Sequence, residues 1–467
     1  MKKKPPTLLR TLKIHFPSTL GLILILCGCG TSQVGSRVPI PLAKRYDASP
    51  YPVPELVTSL SHIFPDRQLR NLAKQALIEN PDLAASAARL DESGFNLTQV
   101  RAPLLPALNG TFSGNRTQTN NFGSANSSFI NNFFSANLNA TWELDVWGRI
   151  RNDVHAATSD QAALAADFAS AQQSLTAQIY QAWFNLIASN KLLNLAQRES
   201  ESLAQTQQLT ERRFERGTLT LSELEVARTD AANSLADLEP LHENRDQAAR
   251  QLKVLVGDYP DAQLQGASEW PSLSRSIPTG IPSSLLRSRP DIDAAYQRVL
   301  AADTRIKVAH ADLFPNFTLS ASAGRSSSNL RDLLRSASDA WSIGGNLLAP
   351  IFDAGARRAE LGASHARAQE AYSDYRGTVL TALQEVENAL SASSRLRSEE
   401  HARDQALLAA RKAEARARRD FEAGITDLLS FLETQRRAFL TEEQTITIRN
   451  ARYNNRVALA LALGKSY

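Results

Sequence analysis

Side chains able to do chemistry are sparse in this sequence. The seven histidines are scattered, with no His-x-x-x-His pair, and no Cys-x-x-Cys or glycine loop of phosphate-binding form occurs. This leaves nothing from which to assemble a nucleophile and base, a zinc centre or a nucleotide cradle, so no enzyme activity and no cofactor are expected. Acidic and basic residues abound at helical spacing, where solvated faces and ion pairs account for them. The single methionine is Met1, so once a leader is removed no soft thioether ligand of the kind suited to copper or silver remains. Both cysteines, Cys27 and Cys29, lie at the end of that leader, so the mature chain holds at most one thiol.

The leader explains both. Lys2, Lys3, Lys4, Arg10 and Lys13 form a basic stretch without acids, followed by the apolar run Leu20 to Leu26, which is the pattern of a secretory signal. The run is about half of the ~20 residues a membrane-spanning helix needs, and no later segment qualifies. Its end, Leu26-Cys27-Gly28-Cys29, resembles the lipobox at which a cysteine is lipidated, so Cys29 becomes the first residue of a lipid-anchored chain. An ordinary cleavage site that happens to contain cysteine is the alternative. Lipidation would leave no thiol, and neither reading permits an internal disulfide. Gly30 stands where, in the enterobacterial scheme, an aspartate would retain the lipoprotein at the inner membrane, which points to delivery to the outer membrane.

Charge excludes a further class. Setting aside the five leader cations from the 52 Lys and Arg leaves 47 against 48 Asp and Glu, with no basic block to follow a nucleic acid backbone. The apparent basicity of the whole chain is a property of its leader.

The remaining sequence is written twice. Pro81 in Asn80-Pro81-Asp82-Leu83 and Pro106 in Leu104-Leu105-Pro106 recur 209 residues on, as Pro290 in Arg289-Pro290-Asp291-Ile292 and Pro315 in Leu313-Phe314-Pro315. Gly148, Phe214-Glu215-Arg216-Gly217 and Leu255-Val256-Gly257 return 207 residues on as Gly355, Phe421-Glu422-Ala423-Gly424 and Ala462-Leu463-Gly464. The implied division is a signal at 1–28, an anchor and extended proline-rich strap at 29–66, a first repeat at 67–257, a linker at 258–283 and a second repeat at 284–464.

Each repeat follows one plan. A helical stretch such as Leu69 to Arg101 is followed by period-two segments. From Phe134 to Val146 the even positions are apolar, and the odd positions Ser135 to Asp145 are polar. Leu108, Gly110, Phe112 and Gly114 supply a weaker partner across a loop at Asn115 to Ser128. Phe317, Leu319, Ala321 and Ala323, then Trp341, Ile343, Gly345 and Leu347 across a loop at Arg325 to Asp339, repeat the pattern. Two hairpins of strands about ten residues long result, long enough to cross a bilayer with one dry and one wet face, although a half-exposed soluble sheet has the same alternation.

The helices separate those cases. From Arg149 to Arg216 there is neither Gly nor Pro, a length that as one helix would extend ~100 Å, more than a soluble domain of this size needs. Its seam steps by threes and fours through Leu175, Ile179, Ala182, Leu186, Ser189 and Leu193, as do Val379, Leu383, Val386 and Leu390. Gly217 and Gly424 end these helices, and Ser222-x-x-Glu225 and Ser430-x-x-Glu433 are capping boxes for the returning ones. Four strands cannot close in hydrocarbon, where open edges leave backbone groups unpaired, so the wall needs further copies of the chain.

The stretch Ile281-Pro282-Ser283-Ser284-Leu285-Leu286-Arg287-Ser288-Arg289-Pro290-Asp291-Ile292, with Leu313-Phe314-Pro315-Asn316-Phe317-Thr318-Leu319, resembles TolC-like outer-membrane efflux factors of the NodT and OprM lipoprotein type. Gly424-Ile425-Thr426-Asp427-Leu428-Leu429-Ser430-Phe431-Leu432-Glu433 and Ser222-Glu223-Leu224-Glu225-Val226-Ala227-Arg228 carry the same likeness, which runs from about Leu69 to Gly464. The resemblance implies a mixed α and transmembrane β fold. Three copies, each giving four strands, build a 12-stranded outer-membrane barrel continued by a periplasmic coiled-coil barrel. It also implies a homotrimer in outer-membrane lipid, a periplasmic adaptor and an inner-membrane efflux transporter as partners.

Function then sits at the helical turns. Matching the family's acidic constriction, Asp427 with Thr426 is the gate candidate, and a plain helix cap is the alternative for Asp427. Gly217, Leu219, Leu221, Ser222, Gly424, Leu428 and Leu429 are the candidate adaptor contacts, with burial inside the bundle as the other account of the leucines. Gly217 lies five residues before Ser222, where relatives commonly have three, so a longer first turn is expected. Within this architecture a type I protein-secretion outlet stays open, and outside it a non-conducting coiled-coil lipoprotein.

Overall fold

Between Arg149 and Glu215, where the chain lacks glycine and proline, it forms a single helix of the expected length. A computed structural model describes residues 60–120, 128–264, 269–273, 288–335 and 338–464. The signal, Cys29, most of the strap and Ile281 to Arg287 therefore lie outside the described residues. The helices are α1 (Leu60–Ile63), α2 (Arg67–Glu79), α3 (Pro81–Arg101), α4 (Arg149–Glu215), α5 (Leu221–Ala236), α6 (Leu238–Val256), α7 (Pro290–Ala311), α8 (Ala356–Glu422) and α9 (Leu428–Ala462). The strands are β1 (Ala107–Asn120), β2 (Ser128–Leu144), β3 (Asn316–Ser327) and β4 (Asp339–Leu348).

α4 and α8 contain 67 residues each, and both start after a glycine in the left-handed region. An aspartate closes each start: Asp145 accepts from the Ile150 and Arg151 amides at 3.0 and 2.9 Å, and Asp353 from those of Gly355 and Arg357 at 2.9 and 3.2 Å. The first anchor proline splits the predicted helical stretch in two. Pro81 takes the first position of α3, where its missing N–H costs no bond, and the Asn80 side chain accepts from Leu83 N at 2.9 Å. Pro290 opens α7 in the same way.

α4 is the central element, lying against α3, α5, α6, α7 and α9, while α8 packs on α7 and α9. The predicted seam is buried at Leu175, Ile179, Ala182, Leu186 and Leu193, and again at Val379, Val386 and Leu390. The largest core extends well beyond that seam. Around the middle of α4, Phe64, Phe184, Tyr453 and Trp270 cluster, with tilted pairs at 4.9 Å (Phe64–Phe184) and 5.0 Å (Phe184–Tyr453) between centroids and a stacked pair at 4.7 Å (Trp270–Tyr453). Leu60 and Phe64 are 0% exposed in this cluster. The strap thus departs from the extended reading at its described end, where one helical turn stops before Pro65. Burying two large apolar side chains outweighs the local proline density.

The four strands form one antiparallel sheet in the order β1-β2-β3-β4, not two separate hairpins. Phe317, Leu319, Ala321 and Ala323 of β3 face Leu144, Trp142, Ala140 and Leu138 of β2 on one side and Leu347, Gly345, Ile343 and Trp341 of β4 on the other. Leu108, Gly110 and Phe112 of β1 continue the row opposite Ala140, Leu138 and Ala136. Directly opposed residues share a face, so one side is an apolar surface until the row reaches the Arg325–Asp339 ion pair opposite Ala136. The other side is Ser, Thr and Asn, with Ser113 and Ser135 hydroxyls 2.7 Å apart, Ser322 and Ser342 2.8 Å apart, and Asn139 donating to Thr111 at 3.0 Å. No described helix is long and apolar enough to cross a membrane.

The strands outrun their expected bounds, because β1 pairs through Asn120 and β2 from Ser128, across residues read as loop. Alternation fades there, with Asn115 opposite Phe133 and Gln118 opposite Ile130, while the ladder continues on backbone bonds alone. The second loop holds a 3-10 turn, Leu330–Leu334, whose Leu333 is buried.

Candidate functional site: the paired helical turns

The two turns that reverse α4 into α5 and α8 into α9 are built alike. Gly217 and Gly424 have φ of +72° and +74°. The next amide reaches back to the last turn of the helix, Thr218 N to Arg213 O at 3.0 Å and Ile425 N to Asp420 O at 2.8 Å. This is the six-residue closure that glycine permits. Each returning helix begins four positions after its glycine, at Leu221 and at Leu428, so the first turn is no longer than the second.

The caps also differ from the expected ones. Thr220, not Ser222, caps α5: Glu223 N donates to Thr220 Oγ1 at 3.3 Å, and Thr220 N to Glu223 Oε2 at 2.8 Å. Ser222 is an exposed residue inside the helix. Two overlapping boxes exist in the sequence, and the glycine turn brings the chain into helical register at the earlier one. Asp427, not Ser430, caps α9, accepting from Ser430 N at 2.9 Å and Ser430 Oγ at 2.7 Å. These bonds favour the ionised form and hold its carboxyl below the usual carboxylate range.

The leucines divide. Leu428 is 0% exposed, packed with Phe421 and Phe431, and is a core residue instead of a contact one. Leu221 and Leu429 are 57% and 59% exposed, Leu219 is half-buried, and Ile425, which carried no prior assignment, is 75% exposed. Thr426 is half-buried beside the exposed Asp427.

What joins the turns is Arg213. Its guanidinium donates to Phe421 O at 2.7 Å and Glu422 O at 2.8 Å and lies 4.7 Å from the centre of the Phe421 ring, which stacks on Phe431 at 5.2 Å. A cation at the carboxyl end of α8 completes carbonyls that no further turn of helix satisfies. The position 207 residues on from Arg213 is Asp420, so the duplication does not reveal this bond. Arg228 ties α5 back to α4 through Glu211 at 2.7 Å. Beneath the turns, Gln435 Nε2 donates to Ser202 Oγ at 2.6 Å, and Arg418 bonds the same hydroxyl. Among the described residues no group of three or more His, Cys, Asp or Glu is placed to hold a metal ion.

The arrangement offers a polar sheet face at one end of the long helices and a pair of turns, with exposed apolar tips and a carboxylate, at the other. Comparison with known proteins identifies the plan. The family model described as outer membrane efflux protein matches residues 72–258 and 281–465. The pyoverdine export outer membrane protein OpmQ of Pseudomonas aeruginosa is 30% identical over 455 residues, covering 95% of this chain and 94% of that one. The cation efflux system protein CusC of Escherichia coli is 27% identical over 449 residues, covering 94% and 96%. The solved outer-membrane channel OprN superposes with a TM-score of 0.85 at 28% identity, covering 92% of this chain and 98% of that chain. The chain belongs to the outer membrane efflux protein family.

Proposed function

We propose that three copies of this chain form the outer-membrane duct of a tripartite efflux system, a passive exit for small molecules handed on by a periplasmic adaptor and an inner-membrane transporter. One observation carries this reading. The sheet has an apolar face, interrupted only toward one end by the Arg325–Asp339 ion pair, and a face of hydroxyls and amides, yet among the described residues it ends in two unpaired edges, β1 and β4. In hydrocarbon those edges must be paired, and β4 of one copy beside β1 of the next keeps every neighbour antiparallel. The polar face then lines water and the apolar face meets lipid.

The finer assignments follow. Lipid on Cys29 would anchor the mature chain in the outer membrane, with residues 29–66 as the strap, 67–257 and 284–464 as the two repeats and 258–283 as the connection. Outer-membrane lipid is its surroundings, nucleic acid is not a partner, and no catalytic step is required of it. Leu219, Leu221 and Leu429, with Gly217, Ser222 and Gly424 shaping the same surface, are the adaptor-contact candidates, supported by the exposure of Leu221 and Leu429. Asp427 with Thr426 is the gate candidate, supported by an exposed, ionised carboxylate at the tip. The relatives export cargoes as unlike as pyoverdine and cations, which fits selection of cargo by the pump.

Planar-bilayer recording of the detergent-purified protein tests the duct. Discrete steps of conductance from a heat-modifiable trimer are expected, and a folded, detergent-free monomer without conductance overturns the reading. Cys29→Ser should abolish incorporation of labelled palmitate without altering the conductance of reconstituted trimers.

A further inference from the structure

The ladder that joins the two repeats inside one chain is a template for the ladder between chains. Move β1 forward by 209 residues and β2 by 207, the offsets of the anchor prolines and of the glycines before the long helices. Ala107 opposite Thr141 then becomes Asn316 opposite Leu348, and Leu108 opposite Ala140 becomes Phe317 opposite Leu347, which are the pairs found in the second hairpin. The duplication therefore holds down to single strand pairs.

The β2–β3 ladder has a counterpart that one chain cannot make, from β4 to a β1 supplied by a second copy. Under the same offsets, Ala140 opposite Ala321 becomes Leu347 opposite Phe112, and Leu138 opposite Ala323 becomes Gly345 opposite Gly114. Leu144 opposite Phe317 becomes Ile351 opposite Leu108. Ala136 opposite Arg325 becomes Ile343 opposite Arg116, so an arginine meets an apolar residue at the same step of both ladders. Matching of faces alone permits slips of two residues in either direction, and the offsets select one register.

Two features that play no part in obtaining this register agree with it. The ten residues of β4 find partners at 111–120 of β1, with Asp339, where β4 begins, opposite Asn120, where β1 ends. At the foot of the internal ladder, Trp147 follows β2 and stacks at 4.8 Å on Phe314, which precedes β3, while its Nε1 donates to Pro315 O at 2.8 Å. The matching segments at the sheet's two edges are bare: Ile351 and Phe352 after β4 are 97% and 88% exposed, and Leu105 before β1 is 72% exposed.

We propose that β4 of one copy pairs with β1 of the next with Leu347 opposite Phe112, and that Ile351 and Phe352 cover Leu105 and Leu108 of that copy at the foot of the seam. This register presupposes the trimeric duct and fixes which residues meet in it.

Cysteine pairs across the seam test it, each variant first being shown to form heat-modifiable trimers under reductant. A disulfide needs Cα atoms about 4.4–6.8 Å apart, which directly opposed residues satisfy and residues two off register, at about 7–8 Å, do not. Mild oxidation of outer membranes containing Phe112→Cys with Leu347→Cys, or Ser113→Cys with Asn346→Cys, is expected to shift the chain on a denaturing gel from monomer to covalent dimer and trimer. These pairs are adjacent, so one of them occupies the closer, non-hydrogen-bonded site. Phe112→Cys with Gly345→Cys or with Ala349→Cys, two residues off register, should stay monomeric, as should each single variant. Crosslinking of an offset pair in place of both aligned pairs means a slipped register and overturns the proposal. Trimers that conduct yet crosslink at no pair also overturn it and leave the duct standing, whereas an unsubstituted chain that forms no trimer overturns both.

Discussion

Single side chains here act mainly by completing hydrogen bonds that the long helices leave open. Asp427 is the sharpest case, because one carboxylate can cap α9 and also present charge at the tip, and these uses respond differently to substitution. Asparagine caps as well as aspartate but carries no charge. Asp427→Asn is therefore expected to keep the melting temperature and change single-channel conductance or cation preference, whereas Asp427→Ala should change both. Unaltered bilayer recordings for both variants would leave the cap as its whole role. Glu400 is the buried counterpart, only 7% exposed, bonded to Arg449 at 2.8 Å and to Arg452. Burial alone would raise its pKa, but the two guanidinium groups outweigh it and hold the carboxyl below its ordinary 4.5. The unfolded chain thus takes up this proton more readily than the folded one. The pair contributes fully above the ordinary value and is lost as pH falls through the lowered one. Melting temperature should be flat from neutral pH to about 5 and then decline. Glu400→Gln should cost about 3 kcal/mol at neutral pH, from the arginines left without their carboxylate, and make the acid decline shallower.

Among the elements, the ends of helices are where each repeat closes most tightly on its own beginning. Gly257 closes α6 with φ +89°, and a Cβ there would stand 2.5 Å from Glu79 O; Gly464, with φ +69°, would meet Ser288 O at 2.4 Å. Each therefore packs against the residues just before the anchor prolines, which explains why the closing glycines recur in step with them. Gly217 has the same conformation, with no atom within 4 Å of an added Cβ. Gly217→Ala should cost only the left-handed strain, about 1 kcal/mol, and leave assembly intact. Gly257→Ala must also displace backbone, so a substantially larger fall in melting temperature is expected in side-by-side thermal scans. Equal falls would show that the contact yields freely. The break between α5 and α6 near Pro240 has no counterpart in α9, which is continuous over 35 residues. Proline explains the break locally, and nothing else in the structure accounts for its being confined to one repeat.

For the assembled trimer the sheet's two faces make opposite demands. Ile343 lies on the apolar face, opposite Ala321, and Ser342 on the polar face, opposite Ser322. Arginine at Ile343 would face hydrocarbon, at a cost of about 2–4 kcal/mol per chain if it lies near the mid-plane, so heat-modifiable trimers should become scarce in isolated outer membranes. Arginine at Ser342 should leave trimer yield unchanged and shift ion selectivity toward anions. The reverse pattern would mean the faces have been assigned backwards.

Alternation, glycine-free helices and the repeated anchors are local regularities. They were enough to name the four strands, the 67-residue α4 and the glycine turns, whereas the family rested on the resemblance of particular motifs, and α8, which contains Gly362 and Gly377, on the repeat. The position of Asp427 at a tip was legible for the same reason. Pairing between residues far apart in the chain was not. The β2–β3 ladder that fuses two hairpins into one sheet, the Arg213 bond between turns, the burial of Leu428 against Phe421 and Phe431, and the choice of Thr220 over Ser222 as cap depend on which distant groups arrive within a few ångströms. A sequence records what each residue can pair with, and only the folded chain selects among partners that are locally equivalent.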